Sequence, residues 1–359
     1  MRTILGSLVL ASIITAASTA AASPLANDPI AGFYTSDDML SHAVLATTDG
    51  RVRELYWNGA VEESLAAGSA PPVSDVVLAH YTTPIVGISG HFSAFDGYRH
   101  AIVALTDGTV HEVYWKGGTA IIDQVLFTVP ATYGAVAQIA SYATPDLFQH
   151  VLVLTTNDSL YQYRWSPYCT SGCGTTYGVI DFLNGARVRS SLPYRISGYV
   201  DSQRYEHTIV AWTSGGSPFM DDLAYGGSSA PSGYPLPNVV NTGAFTQVAA
   251  FHNGLGYVDN WGNPYPDTVV GGMHDTVSGD FIEEYALTPN ASGRTTDCEG
   301  GLVPSGIVGI GGFAEQRTPV WVKHVVVAAK NGAVSDYWRD NVKNAAGNYH
   351  FRQVPLGAF

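Results

Sequence analysis

Five histidines in this chain are followed by an acidic or amide side chain and then by an aromatic ring. The sets are His42/Glu54/Trp57, His100/Glu112/Trp115, His150/Gln162/Trp165, His207/Asp222/Tyr225 and His324/Asp336/Trp338. In four of them twelve residues separate the histidine from the acid or amide. A sixth, altered set reads Asp267/Glu284/Leu287 and lacks the ring. A carboxylate accepts hydrogen bonds from hydroxyl groups, and an imidazole donates or accepts them. An indole face offers a flat apolar platform for the C–H side of a pyranose. A few placed polar groups beside aromatic surface are what a small-ligand site requires.

The elements that must position these groups repeat with them. Ser41-His42-Ala-Val-Leu-Ala-Thr-Thr-Asp49-Gly50-Arg-Val52-Arg-Glu54-Leu-Tyr-Trp57 aligns without gaps on Arg99-His100 through Trp115. Further copies begin at His150, His207 and His324. A short strand-like segment precedes each, near residues 30, 85, 136, 196, 248 and 307. Within the second copy, Ile85 to Ser89 reads as strand one and His100 to Thr106 as strand two. Asp107-Gly108 is a tight hairpin turn, because glycine accepts the positive φ that such a loop needs. Val110 to Trp115 and Ile121 to Thr128 complete four strands. Self-similarity at this period predicts an all-β, six-bladed β-propeller with four-stranded antiparallel blades. The first and last units are good copies, whereas an open solenoid would cap its ends with atypical ones, so closure into a ring is expected.

Composition agrees. Charged residues are only 13% of the chain, and the 39 glycines and 19 prolines suit short strands joined by turns. Residues 1–22 carry one early arginine, an apolar stretch and a small-residue run, which is the layout of a secretory signal peptide. A secreted protein with one domain over 23–359 is therefore expected, with no membrane insertion. The net charge of −13 and the lack of a basic stripe argue against nucleic acid as a partner. Cys169 and Cys173 flank a Thr-Ser-Gly turn and are candidates for a local disulfide, with Cys298 left over. No cofactor is expected. Histidines spread around a ring would lie too far apart to share a metal at about 2 Å.

The repeated unit resembles that of the fungal fucose-specific lectins. Their unit reads Ile-Arg-Val-Tyr, a turn, then Ile-x-Glu-x-x-Trp. Here His42, His100, His150, His207 and His324 stand at the arginine place, and Glu54, Glu112, Asp222, Glu284 and Asp336 at the glutamate place. The resemblance implies a six-bladed propeller with several sugar pockets between adjacent blades, and carbohydrate as partner. Histidine cannot reproduce the two-pronged grip of arginine. Two other functions suit the sequence. A polysaccharide hydrolase or lyase would draw on the acidic and histidine groups of the irregular fourth and fifth units: Asp221, Asp222, Asp267, His274, Asp275 and Glu284. A structural or protein-binding propeller would use the recurring histidine, acid and tryptophan only to knit its sheets together.

Overall fold

The computed structural model describes residues 29–64, 69–157, 159–166, 180–181, 194–202, 204–214, 217–225, 232–236, 244–252, 267–275, 279–288, 291–295, 302–317, 320–343 and 349–358. Residues 1–22, where a signal peptide is expected, and all three cysteines lie outside these residues.

Alternation of apolar and polar residues, punctuated by Asp-Gly turns, folds the described residues into six four-stranded antiparallel sheets, each built from strands consecutive in sequence. Their first strands are Ile30–Thr35, Ile85–Ser93, Val136–Ala143, Arg195–Val200, Ala244–His252 and Ile307–Arg317. In the second sheet these are followed by Tyr98–Leu105, Thr109–Trp115 and Ile122–Thr128. Gly108 turns between the second and third of them at φ +85°, a conformation that disfavours any side chain with a Cβ. Among the described residues the helical content is slight: a six-residue helix, Gly59–Ser64, and a three-residue turn, Ala131–Tyr133.

Each sheet packs its apolar face against the next. Val44 and Val52 of sheet 1 meet Ala101, Val103 and Trp115 of sheet 2. The last sheet meets the first in the same manner, with Trp57 and Leu55 against Phe313 and Val326. The first strands approach most closely. A Cβ on Gly311 of sheet 6 would lie 2.3 Å from the backbone nitrogen of Gly32 in sheet 1, so only glycine fits there. All six first strands line one central channel of about 80 Å³, whose walls are small or aliphatic residues such as Gly32, Ser89, Ser141, Ser197, Ala250 and Gly311. That is far below the roughly 300 Å³ at which ligand pockets begin.

Among the described residues no helix is long and apolar enough to cross a membrane.

Candidate functional site

Register explains why histidine and acid meet. His42 lies opposite Tyr56 across the second and third strands, and Val44, two residues on, lies opposite Glu54. Side chains two apart share a face, so His42 and Glu54 are diagonal neighbours within reach of each other. His42 Nδ1 is 2.8 Å from Glu54 Oε1. The same diagonal brings His100 Nδ1 to 2.9 Å from Glu112, His207 Nδ1 to 2.9 Å from Asp222, and His324 Nδ1 to 2.6 Å from Asp336. In sheet 3 the Gln162 amide donates to His150 Nδ1 at 2.9 Å.

A ring from the first strand lies flat on each of these histidines, a partner the repeat pattern did not reveal. Phe33 stacks on His42 at 5.4 Å and His91 on His100 at 5.0 Å. Tyr142 stacks on His150, Tyr199 on His207 and Phe313 on His324, at 4.9, 4.7 and 4.7 Å. The second ring nitrogen faces the end of the first strand or the turn that follows it. His42 Nε2 is 3.0 Å from Thr35 and 3.5 Å from Asp38. His100 Nε2 is 3.5 Å from Asp96, and His150 Nε2 is 3.1 Å from Thr144. His207 Nε2 lies 3.5 Å from Asp201, and His324 Nε2 lies 3.3 Å from Glu315. His42, His100, His150 and His324 are almost wholly buried, and His207 is partly so.

The surroundings set the charge of each ring. Burial works against protonation of His42 and His100. The hydrogen bonds and charge of Asp38 with Glu54, and of Asp96 with Glu112, prevail and hold both above the ordinary value. His150 Nδ1 faces the Gln162 amide and, at 3.2 Å, Glu206; burial outweighs that carboxylate and pushes the ring down to about 4. His91 is pushed to about 3 by burial and then by the neighbouring charge of His100.

The structure splits the trios of sheets 1 to 4. Glu54 and Trp57 are three residues apart on one strand, and an odd separation points them to opposite faces. Trp57 packs on sheet 6 and Trp115 on sheet 1, while Trp165 packs on sheet 2. The seam that holds His42 and Glu54 therefore receives Trp115 from the next sheet. On the histidine's own face the aromatic neighbours are the half-buried Tyr56 and Tyr114, at 5.8 and 6.0 Å from His42 and His100.

Two register assignments need correction. Asp267 does not take the histidine place in the fifth sheet. Thr268 does, opposite Ala286 and beside Phe251, while Glu284 opposite Val270 keeps the acid place as expected. Residues 253–266, outside the described residues, precede this strand, and a polar residue one position early imitated the pattern. Trp338 lies opposite His324, where Tyr56 lies in sheet 1; the place matching Trp57 is held by Arg339. Tyr225 and Leu287 do take the tryptophan place, opposite Glu206 and Asp267.

The residue before the histidine was not singled out from the sequence, yet in sheets 2, 3, 4 and 6 it bridges to the preceding sheet. Arg99 bonds Asp38 and lies 3.3 Å from Asp37 of sheet 1. Gln149 bonds His91 of sheet 2. Glu206 accepts from Tyr142 Oη at 2.8 Å and from the Gln162 amide at 2.9 Å. Lys323 bonds Glu284 of sheet 5. Asp267 occupies this place in sheet 5, but its partner, His252 Nδ1 at 2.7 Å, belongs to the same sheet. Ser41 occupies it in sheet 1, and its buried hydroxyl has no hydrogen-bond partner.

The residues considered for hydrolysis are dispersed. Asp222 and Asp267 share the seam between sheets 4 and 5, and Glu284 faces sheet 6 through Lys323. Asp221, beside Asp222 on the third strand of sheet 4, points to the opposite face. Half-exposed His274 bonds Asp280 near a hairpin, and the backbone of Asp275 ends that strand. None of them lines the central channel. Among the described residues no group of three His, Cys, Asp or Glu is arranged to hold a metal ion.

No protein-family model matches the sequence, and no curated protein is significantly similar to it. The fold is similar to that of SapL1 lectin, solved with α-methyl fucoside, at TM-score 0.58 and 14% identity over 93% of this chain and 98% of that one. It is also similar to AofleA from Arthrobotrys oligospora (TM-score 0.57, 10% identity, 94% and 92% covered). The Aleuria aurantia lectin, described as a six-bladed β-propeller, matches at TM-score 0.57 and 12% identity in its complex with α-methyl-L-fucoside, over 94% of this chain and 99% of that one. At these identities the likeness is one of fold.

Proposed function

We propose that this chain is a secreted, lectin-like carbohydrate-binding protein whose six sheets are the blades of a closed propeller, with shallow sugar sites at the seams between them. The observation that carries this reading is the recurrence, at successive seams, of a stacked and hydrogen-bonded histidine beside an acid or amide, in a fold similar to that of solved sugar-binding lectins. In this reading the buried pairs His42/Glu54, His100/Glu112, His150/Gln162, His207/Asp222 and His324/Asp336 form the polar floor of each site. Tyr56 and Tyr114, half-buried beside their histidines, present the ring face on which a pyranose stacks. Trp115 and Trp165 wall the neighbouring seams from the following sheet. The leader over 1–22 directs export. Repetition of weak sites gives avidity on a glycan-coated surface.

A glycan array read between pH 5 and 8 tests this. Binding of one sugar class, reduced by Tyr56→Ala combined with Tyr114→Ala, is the expected result. An array silent across that range removes the reading.

A further inference from the structure

Four of the six bridging positions, Arg99, Gln149, Glu206 and Lys323, reach a partner in the preceding sheet; Ser41 has none, and the position between sheets 4 and 5 leaves a gap beside a buried phenol. At the preceding seam Glu206 accepts from Tyr142 Oη. Tyr199 stands where Tyr142 stands, stacked on its own histidine. Its bridging acid is Asp267, one methylene shorter than glutamate, and Asp267 is turned to His252. The Tyr199 hydroxyl is left with no hydrogen-bond partner, although the residue is only 5% exposed. Asp267, Asp222 and Asp201 are the charges that act on this phenol. A buried, unsatisfied hydroxyl costs about 1–3 kcal/mol in a protein left to itself, which marks a place prepared for another donor or acceptor.

The charge at this seam is unlike that at its neighbours. Between sheets 1 and 2 Arg99 meets Asp37 and Asp38, and between sheets 5 and 6 the Lys323 ammonium meets Glu284. Between sheets 4 and 5, no arginine or lysine among the described residues is paired with Asp222 or Asp267. Their partners are His207 and His252, and both pairs are partly open to solvent: side-chain exposure is 12% for His207 and 22% for His252. His207 Nε2 has only the Asp201 carboxylate near it, at 3.5 Å, and makes no well-formed hydrogen bond.

We propose that the seam between sheets 4 and 5 is a distinct binding site for an ammonium-bearing sugar, a 2-amino-2-deoxyhexose, whose –NH₃⁺ takes the place that the Lys323 ammonium takes one seam further on. The ammonium donates to Asp222 and Asp267, and a neighbouring ring hydroxyl satisfies Tyr199 Oη. This rests on the carbohydrate-binding reading above and narrows the ligand for one of its sites.

Calorimetric titration at pH 7 with D-glucosamine and, separately, with N-acetyl-D-glucosamine tests it. The two probes differ in whether the nitrogen carries charge. Glucosamine is expected to bind at one site per chain, with N-acetylglucosamine weaker by on the order of tenfold or more, the worth of a charge-assisted hydrogen bond. Asp267→Asn should weaken glucosamine by a similar factor, and the wild-type comparison of the two sugars stands even if that variant folds poorly. Equal affinity for both sugars, or no affinity for glucosamine, overturns the inference. Array binding that persists in that event leaves the general lectin reading intact; glucosamine binding against a silent neutral array supports this site and removes the multivalent one.

Discussion

The seam between sheets 1 and 2 is closed by a cation of the chain's own, Arg99, whereas the equivalent position between sheets 4 and 5 holds the carboxylate of Asp267. Everything around these two positions is alike. Each has a first-strand ring flat on a histidine and an acid diagonal to that histidine. The difference teaches that the stacked pair and the bridging residue are separate devices. The pair is repeated because the hairpin register demands it. The bridge varies because a pair of sheets can be joined by any group that satisfies what it faces, and four different answers appear: arginine, glutamine, glutamate and lysine.

The sharpest way to break the comparison is to remove the bridge where it is strongest. Arg99 is buried, and Asp38 is held below the usual carboxylate range: burial opposes this, but hydrogen bonds from His42 and Thr35 and the charge of Arg99 outweigh it. Arg99→Ala should cost about 3 kcal/mol, because truncating one partner strands the other's charge. Asp38 is a third exposed, which keeps the figure at the low end. Chemical denaturation followed by tryptophan fluorescence measures it. A loss below about 1 kcal/mol would mean that the seam is held by apolar packing alone.

A second contrast is electrical. His42 and His100 have pKa values raised in the fold, so their stabilisation is complete below the unfolded value of 6.5 and is lost as pH rises through the folded value. His150 has the opposite sign. Its folded pKa is about 4, so its neutral form is stabilising above 6.5 and that share is lost as pH falls from 6.5 towards 4. Between pH 6.5 and 5 the His150 share amounts to about 2 kcal/mol. Proton NMR of the imidazole C–H signals should give a midpoint near 4 for His150 and midpoints above 6.5 for His42 and His100. Gln162→Glu should raise the His150 midpoint by a unit or more. Coincident midpoints in the wild type would erase the distinction between an amide and an acid partner.

The sequence made the hairpins legible because Asp-Gly turns and a twelve-residue interval pin the second and third strands to each other. His42 with Glu54 and His100 with Glu112 follow from that interval alone. The first-strand rings were hidden because their type changes, from Phe33 to His91 to Tyr142, and the turn between them and the histidine changes length. The bridging residues were hidden for a stronger reason. They share a position but no chemistry, and their partners lie in another repeat. Trp57 misled because a recurring residue suggests a shared site, while strand pleating sends it to the opposite face from Glu54. In the fifth repeat the aspartate at 267 matched the expected polarity one residue too early, and only pairing with Leu287 and His252 reveals its true place.

The smallest expected effect is also the most specific. Tyr142 and Tyr199 occupy matching positions, but only the Tyr142 hydroxyl is bonded, to Glu206 at 2.8 Å. Tyr142→Phe should therefore destabilise by about 1 kcal/mol, the net worth of a hydrogen bond to a charged acceptor less what Glu206 recovers from the Gln162 amide. Tyr199→Phe removes a hydroxyl that satisfies nothing, so its stability should change by less than about 0.5 kcal/mol, or rise. Parallel thermal melts of the two variants read the difference directly. Equal losses would mean that the phenol of Tyr199 already has a partner, and the gap between sheets 4 and 5 would not exist.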